Sequence, residues 1–86
     1  MASFRIEWKE SAKRELRKLP DQARRRILAA VDGLKEDPRP PGVKKLVGVE
    51  HSYRIRVGDY RVIYSVFASA LFLEVIRVAD RKEAYR

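Results

Sequence analysis

Three arginines alternate with apolar residues in the segment Tyr53-Arg54-Ile55-Arg56-Val57-Gly58-Asp59-Tyr60-Arg61-Val62-Ile63-Tyr64, and guanidinium groups in such a pattern bind phosphate. Each one presents a planar fork that grips two phosphate oxygens and stays charged at any physiological pH. The same plane stacks on unpaired bases. Read as two strands joined at Gly58-Asp59, the segment sends Tyr53, Ile55, Val57, Tyr60, Val62 and Tyr64 to one face and Arg54, Arg56 and Arg61 to the other. A two-residue loop sets Arg56 directly opposite Arg61. Like charges opposed in this way destabilise a sheet, so the pair predicts an anion on that face.

RNA can be cut without a metal when its own 2′-OH attacks the adjacent phosphate. The site must favour loss of the 2′-OH proton, stabilise charge on phosphorus and help the 5′-oxygen leave. Arginines meet the second need and are poor bases. Tyr85 exchanges a proton only if cationic neighbours lower its pKa from the usual value of about 10. On the residues alone, binding is therefore better supported than catalysis. His51, the only histidine, titrates near neutrality, but its place in a basic turn reads first as a surface residue. Glu7, Glu10 and Glu50 lack metal-ligand spacing, there is no Gly-rich phosphate loop, and cysteine is absent. No metal or cofactor is called for.

Twenty Lys and Arg against twelve Asp and Glu leave a net charge of +8 on 86 residues. That is a strong positive field for so short a chain, attractive to phosphate backbones or acidic protein surfaces. The length predicts one domain over residues 1–86. With no long apolar run and no signal-peptide pattern, the expected setting is cytoplasmic, with no membrane partner. A basic sheet face without a recognition helix suits single-stranded RNA better than duplex DNA.

The elements that must hold this face follow from periodicity. Residues 3–8 alternate as a strand with Phe4, Ile6 and Trp8 on one side. A helix over about 9–19 carries the stripe Ala12, Leu16 and Leu19. Pro20 stops it, and Asp21 is the expected N-cap of a second helix reaching about Glu36. In that helix Ala23, Ile27, Ala30, Val31 and Leu34 face inward, and Arg24, Arg25 and Arg26 read as a solvated face. Asp37-Pro38-Arg39-Pro40-Pro41-Gly42 is a stiff connector. Lys44 and Lys45 precede the arginine hairpin, and Arg81 and Tyr85 follow the last strand, expected at about 71–78; either pair could border the basic face. In the expected register Ile63 faces Glu74 and Val62 faces Val75. Leu71, Leu73 and Val75 then join the apolar face, and Glu74 lies diagonal to Arg61. The order β-α-α-β-β-β predicts an α+β fold, an antiparallel sheet with a two-helix hairpin packed on one face.

Two stretches carry a family resemblance: Tyr53 to Tyr64, and the close Ile76-Arg77-Val78-Ala79-Asp80-Arg81-Lys82-Glu83-Ala84-Tyr85-Arg86. With the opening strand that leads into Ala12-Lys13-Arg14-Glu15-Leu16-Arg17-Lys18-Leu19-Pro20, the whole chain resembles toxins of the RelE/ParE superfamily. For the RelE branch the resemblance implies a ribosome-dependent, metal-independent mRNA endonuclease cutting in the A site. It places the catalytic residues at Arg54, Arg56, Arg61, Arg81 and Tyr85, with Lys44, Lys45 and Lys82 as RNA contacts. Two departures stand out. Arginines occupy strand positions often held by lysine in RelE, and Asp80 stands where many relatives have histidine. Both changes make proton transfer harder.

The resemblance also implies a cognate antitoxin, acidic and wrapping the toxin, through which the complex touches DNA only indirectly. The alternatives are a ParE-like inhibitor of DNA gyrase without nuclease activity, and a non-catalytic RNA- or ribosome-binding module.

Overall fold

The computed structural model describes residues 3–48 and 50–80. Alternation in Arg5–Trp8 forms β1, with Ile6 and Trp8 half-buried and Arg5 and Glu7 exposed. Glu10–Arg17 forms α1 and Asp21–Gly33 forms α2. Both helices end earlier than their apolar stripes because the final turns tighten. Lys18 N–H bonds back to Glu15 O, and Leu34 N–H to Val31 O, three residues each, the spacing of a 3-10 turn. The N-cap of α2 is Pro20, not Asp21. Asp21 instead opens the helix, where its carboxylate meets the positive end of the helix dipole and pairs with Arg24 and Arg25 at 2.9 and 3.0 Å.

Four further strands follow: β2 (Lys44–Lys45), β3 (Ser52–Val57), β4 (Tyr60–Phe67) and β5 (Phe72–Asp80). Among the described residues the five strands form one sheet in the order β1-β5-β4-β3-β2. The α+β class and the element order agree with the sequence, with β2 as an added edge strand. The sheet is mixed, not wholly antiparallel. Since β3, β4 and β5 alternate in direction, β5 runs the same way as β3; β1 shares that direction and so joins β5 in parallel.

The β4–β5 register also differs from expectation. Ile63 pairs with Arg77 and Val62 with Val78, while Glu74 lies opposite Ser65. The strand β4 runs on to Phe67, and Ala68–Ala70 forms a 3-10 turn closed by Leu71 at φ 51°. This delays β5 by two residues. An irregularity between Ile63 and Tyr64 then skips Ile76, adding one more. Leu71 is consequently in the turn and 42 % exposed, while Leu73 and Val75 are fully buried.

One sheet face packs against the helices, α1 along β5 and α2 along β3. Ala12, Ile27, Val31 and Leu34 from the helix side meet Ile55, Val62, Tyr64, Val66, Leu73, Val75 and Val78 from the strands. Tyr64 is the largest side chain buried here, and its hydroxyl donates to Pro38 O at 2.6 Å. That bond ties the proline connector to the sheet just before β2. Glu15 makes a second tie. One carboxylate oxygen accepts the Val78 N–H at 2.8 Å, and the other lies 3.5 Å from Arg77 Nε. It thereby satisfies a backbone donor on the part of β5 that lies beyond the end of β1. Among the described residues no helix is long and apolar enough to cross a membrane.

Candidate nucleic-acid interface

The basic face is built by the β3–β4 hairpin. Val57 pairs with Tyr60, leaving Gly58 and Asp59 as a two-residue turn. Of these two, Gly58 has positive φ, +60°, the signature of a type II′ turn, whose twist matches the strands it joins. As the alternation demands, Arg56 lies opposite Arg61. Arg54 lies between Lys44 of β2 and Ile63 of β4, and Arg61 is flanked on its other side by Ala79.

The three arginines sit at graded depth. Arg56 is exposed and turns its Nε to Gly58 O at 3.2 Å, and Arg54 is half-buried. Arg61 is only 6 % exposed, in the middle strand of the five. A guanidinium held there has a fixed direction, whereas the accessible Arg56 can follow a ligand. An exposed Arg56 opposed to a buried Arg61, with Arg54 on the same face, makes a receptacle for an oxyanion whose charge offsets their repulsion.

Of the residues singled out from the sequence, Lys44, Arg54, Arg56 and Arg61 are brought to one face. Lys45 is not among them: it pairs with Tyr53, so alternation puts it on the opposite side. Glu74 is also displaced. It neighbours Glu7 and Ser65 rather than Arg61, a consequence of the two-residue delay in β5. Arg81, Lys82 and Tyr85 lie outside the described residues. Asp80 ends β5 opposite Tyr60, one position from the Arg61–Ala79 pair. His51 stands at the far end of β3 from the arginine turn, in a left-handed conformation with φ 62°.

The sequence reading missed Arg26. Its guanidinium lies against the hairpin turn, so that a Cβ on Gly58 would come within 3.2 Å of Arg26 Nη1. The other two arginines of that run stay on the helix surface, tied to Asp21. Only the third reaches the hairpin turn. The signal was present but tertiary: a glycine turn that leaves room, under a helix whose arginine is long enough to cover it.

Beneath the face, Tyr64 is held neutral. Burial pushes its hydroxyl up to about 12, with smaller contributions from Tyr53 and Asp37, against an opposing one from Arg39. The Tyr53 ring stacks on Tyr64 at 6.0 Å, and Arg39 Nε donates to the Tyr53 hydroxyl at 3.2 Å. This group secures the connector and hence β2, which carries Lys44 beside Arg54.

A family model described as the ParE toxin of the type II toxin–antitoxin system parDE matches residues 6–85. A RelE1 protein of Methanocaldococcus jannaschii is 27 % identical over 86 residues, covering 96 % of both chains. Among solved structures, RelE in the archaeal RelE–RelB complex of Pyrococcus horikoshii superposes with a TM-score of 0.83. The two are 33 % identical, covering 92 % of this chain and 96 % of that one. The isolated E. coli RelE toxin gives 0.79 at 31 % identity over 98 % and 92 % of the two chains. The fold is therefore shared along nearly the full length of these solved relatives, and the chain belongs to the RelE/ParE superfamily of type II toxin–antitoxin toxins.

Proposed function

We propose that this toxin is a RelE-type endoribonuclease that cuts mRNA in the ribosomal A site. The observation that carries the reading is the Arg56–Arg61 opposition, with Arg54 and Lys44 on the same face. A gyrase inhibitor that cuts nothing has no evident use for three arginines gathered on one sheet face. The relatives named RelE, at about a third identity, support the same branch.

In the reaction the 2′-OH gives its proton to solvent and its oxygen attacks the adjacent 3′-phosphorus, the bond to the 5′-oxygen breaks, and the leaving oxygen takes a proton from solvent, so that a 2′,3′-cyclic phosphate and a 5′-hydroxyl form. Arg61 and Arg81 stabilise the charge that develops on the phosphoryl oxygens and the leaving oxygen. Arg54 and Arg56 position the strand and favour loss of the 2′-OH proton by stabilising the resulting alkoxide. Tyr85 stacks on or orients the substrate, and Lys44 and Lys82 hold flanking phosphates, Lys45 being on the opposite side of β2. Because arginine is a poor base, the rate rests on electrostatics and on alignment by the ribosome. An acidic antitoxin that wraps the toxin would answer its +8 charge and fold as it binds. The Pyrococcus relative was solved with RelB, and a cognate antitoxin of that kind is the expected regulator.

Purified protein added to programmed ribosomes provides the test. Cleavage of A-site mRNA, lost in Arg61→Ala, is expected. Intact mRNA with unaffected translation would overturn the reading, and intact mRNA with accumulating gyrase–DNA complexes would replace it with gyrase inhibition.

A further inference from the structure

The open sheet face has a second end, remote from the arginine turn, and its chemistry is different. There Arg5 of β1 is the register partner of Phe72 of β5, and Phe72 is the partner of Phe67 of β4. The Arg5 guanidinium lies 5.1 Å over the Phe72 ring. Phe72 and Phe67 are stacked at 5.4 Å and 18°. The His51 ring follows at 6.2 Å from Phe67, tilted by 42°, its carbonyl fixed by the Val66 N–H at 2.8 Å. A row of four flat groups thus crosses the sheet, one per adjacent segment, with a guanidinium at one end and an imidazole at the other. Phe67 is 38 % exposed, although its neighbours Val66 and Leu73 are buried in the core.

We propose that this row is a nucleobase-stacking subsite, which takes an unpaired base of the RNA whose phosphates lie against Arg54 and Arg56. The proposal rests on the reading of the basic face as an RNA site. Three observations favour a base over other occupants. The rings of His51 and Phe67 are in tilted contact at 6.2 Å and 42°, within the range of an aromatic pair, so a planar base can take the place of His51 on the exposed Phe67 ring. The His51 side chain is 62 % exposed, so it is free to swing aside. The carboxylates on this end, Glu7 and Glu74, disfavour phosphate, yet they can accept from exocyclic amino groups as acidic residues do from cytosine. Glu7 is engaged by Arg5 at 2.9 Å, and Glu74 lies beside it in register.

The spacing fits one continuous strand. Arg61 and Phe67 are both on β4, about 20 Å apart at about 3.3 Å per residue. That is roughly six nucleotides if bases stay stacked at about 3.4 Å, and fewer if the strand is stretched. The sheet would therefore divide its work, with phosphates at the turn end and a base at the aromatic end.

The experiment is equilibrium binding of a labelled ten-nucleotide 2′-O-methyl RNA, which cannot be cut because its attacking hydroxyl is blocked. Phe67→Ala should weaken binding by roughly five- to hundred-fold, the range for loss of one stacked base, with an unchanged salt slope because no charge is lost. Phe67→Trp should retain affinity, and its indole fluorescence should be quenched on binding. A two-nucleotide RNA, too short to span both ends, should bind Phe67→Ala and wild type alike if anchored at the arginines. Decamer affinity within twofold of wild type for Phe67→Ala, or unquenched Phe67→Trp fluorescence at saturation, would overturn the subsite. So would loss of affinity accompanied by a changed salt slope. Decamer binding that depends on Phe67, together with no cleavage on ribosomes, would remove the nuclease reading and leave the subsite standing. Cleavage with Phe67-independent binding would remove the subsite alone.

Discussion

Replacing Tyr64 with phenylalanine should destabilise the protein at neutral pH and stop doing so near pH 11. The Tyr64 hydroxyl is buried and donates to Pro38 O at 2.6 Å. Its deletion leaves that carbonyl without this donor, at a cost of about 1–2 kcal/mol. For a chain of this size that corresponds to a drop in Tm of about 4–15 °C. The pH dependence separates this bond from simple packing. Burial raises the hydroxyl from 10.0 to about 12, so the folded state holds its proton more tightly than the unfolded chain. The stabilisation is complete below pH 10 and is lost as pH rises from 10 through 12. At pH 11 the loss relative to neutral pH is about 1.4 kcal/mol, enough to cancel the wild-type advantage. Urea unfolding of both proteins at intervals from pH 7 to 11, followed by circular dichroism, measures the difference directly, the two proteins differing by a single hydroxyl. A constant difference across that range would refute the reasoning, as would a Phe variant as stable as wild type at pH 7.

Three other outcomes follow from the geometry. Glu15→Ala removes the acceptor of the Val78 N–H and the partner of Arg77, and should cost about 1–3 kcal/mol in chemical denaturation, with Glu15→Gln recovering part because its amide oxygen still accepts. Gly58→Ala places a Cβ at φ +60° and 3.2 Å from Arg26 Nη1; it should destabilise by about 1–3 kcal/mol, and adding Arg26→Ala should relieve only the contact, as thermal unfolding of the double variant would reveal. Arg56→Ala removes a like charge opposite Arg61 and should raise stability by roughly 0.2–1 kcal/mol, while RNA binding weakens and its salt slope falls by about one.

The arginine face was legible because everything that defines it is local. A glycine turn of two residues fixes the β3–β4 register, and alternation does the rest; Arg54, Arg56 and Arg61 had no other face to occupy. The β4–β5 pairing was not legible for the converse reason. Phe67-Ala68-Ser69-Ala70-Leu71 contains no glycine or proline to mark the turn, and Leu71 takes the left-handed conformation that sequence would sooner give to glycine. The skip at Ile76 falls just past the stretch of β5 that pairs with β1, where no glycine or proline marks it. Glu74 was therefore placed near Arg61 when it sits by Glu7. The positions of Lys45, Arg26 and Glu15 depend on contacts between distant segments: β2 against β3, α2 over the hairpin, α1 along β5. The parallel seating of β1 was hidden in the same way, since no property of Arg5–Trp8 names β5 as its neighbour.

The two ends of the sheet bear on how such a chain survives when nothing covers it. A five-stranded sheet must expose the backbone of its outermost strands, and unpaired N–H and C=O groups invite other chains to extend it. One margin here is β2, two residues long and both lysine; the other is β1, four residues with Arg5 and Glu7 pointing outward. Neither offers a length of flat, uncharged ribbon on which a second molecule could zip. At high local concentration, a freshly made or newly released molecule should thus repel its copies where a longer apolar margin would recruit them into fibrils.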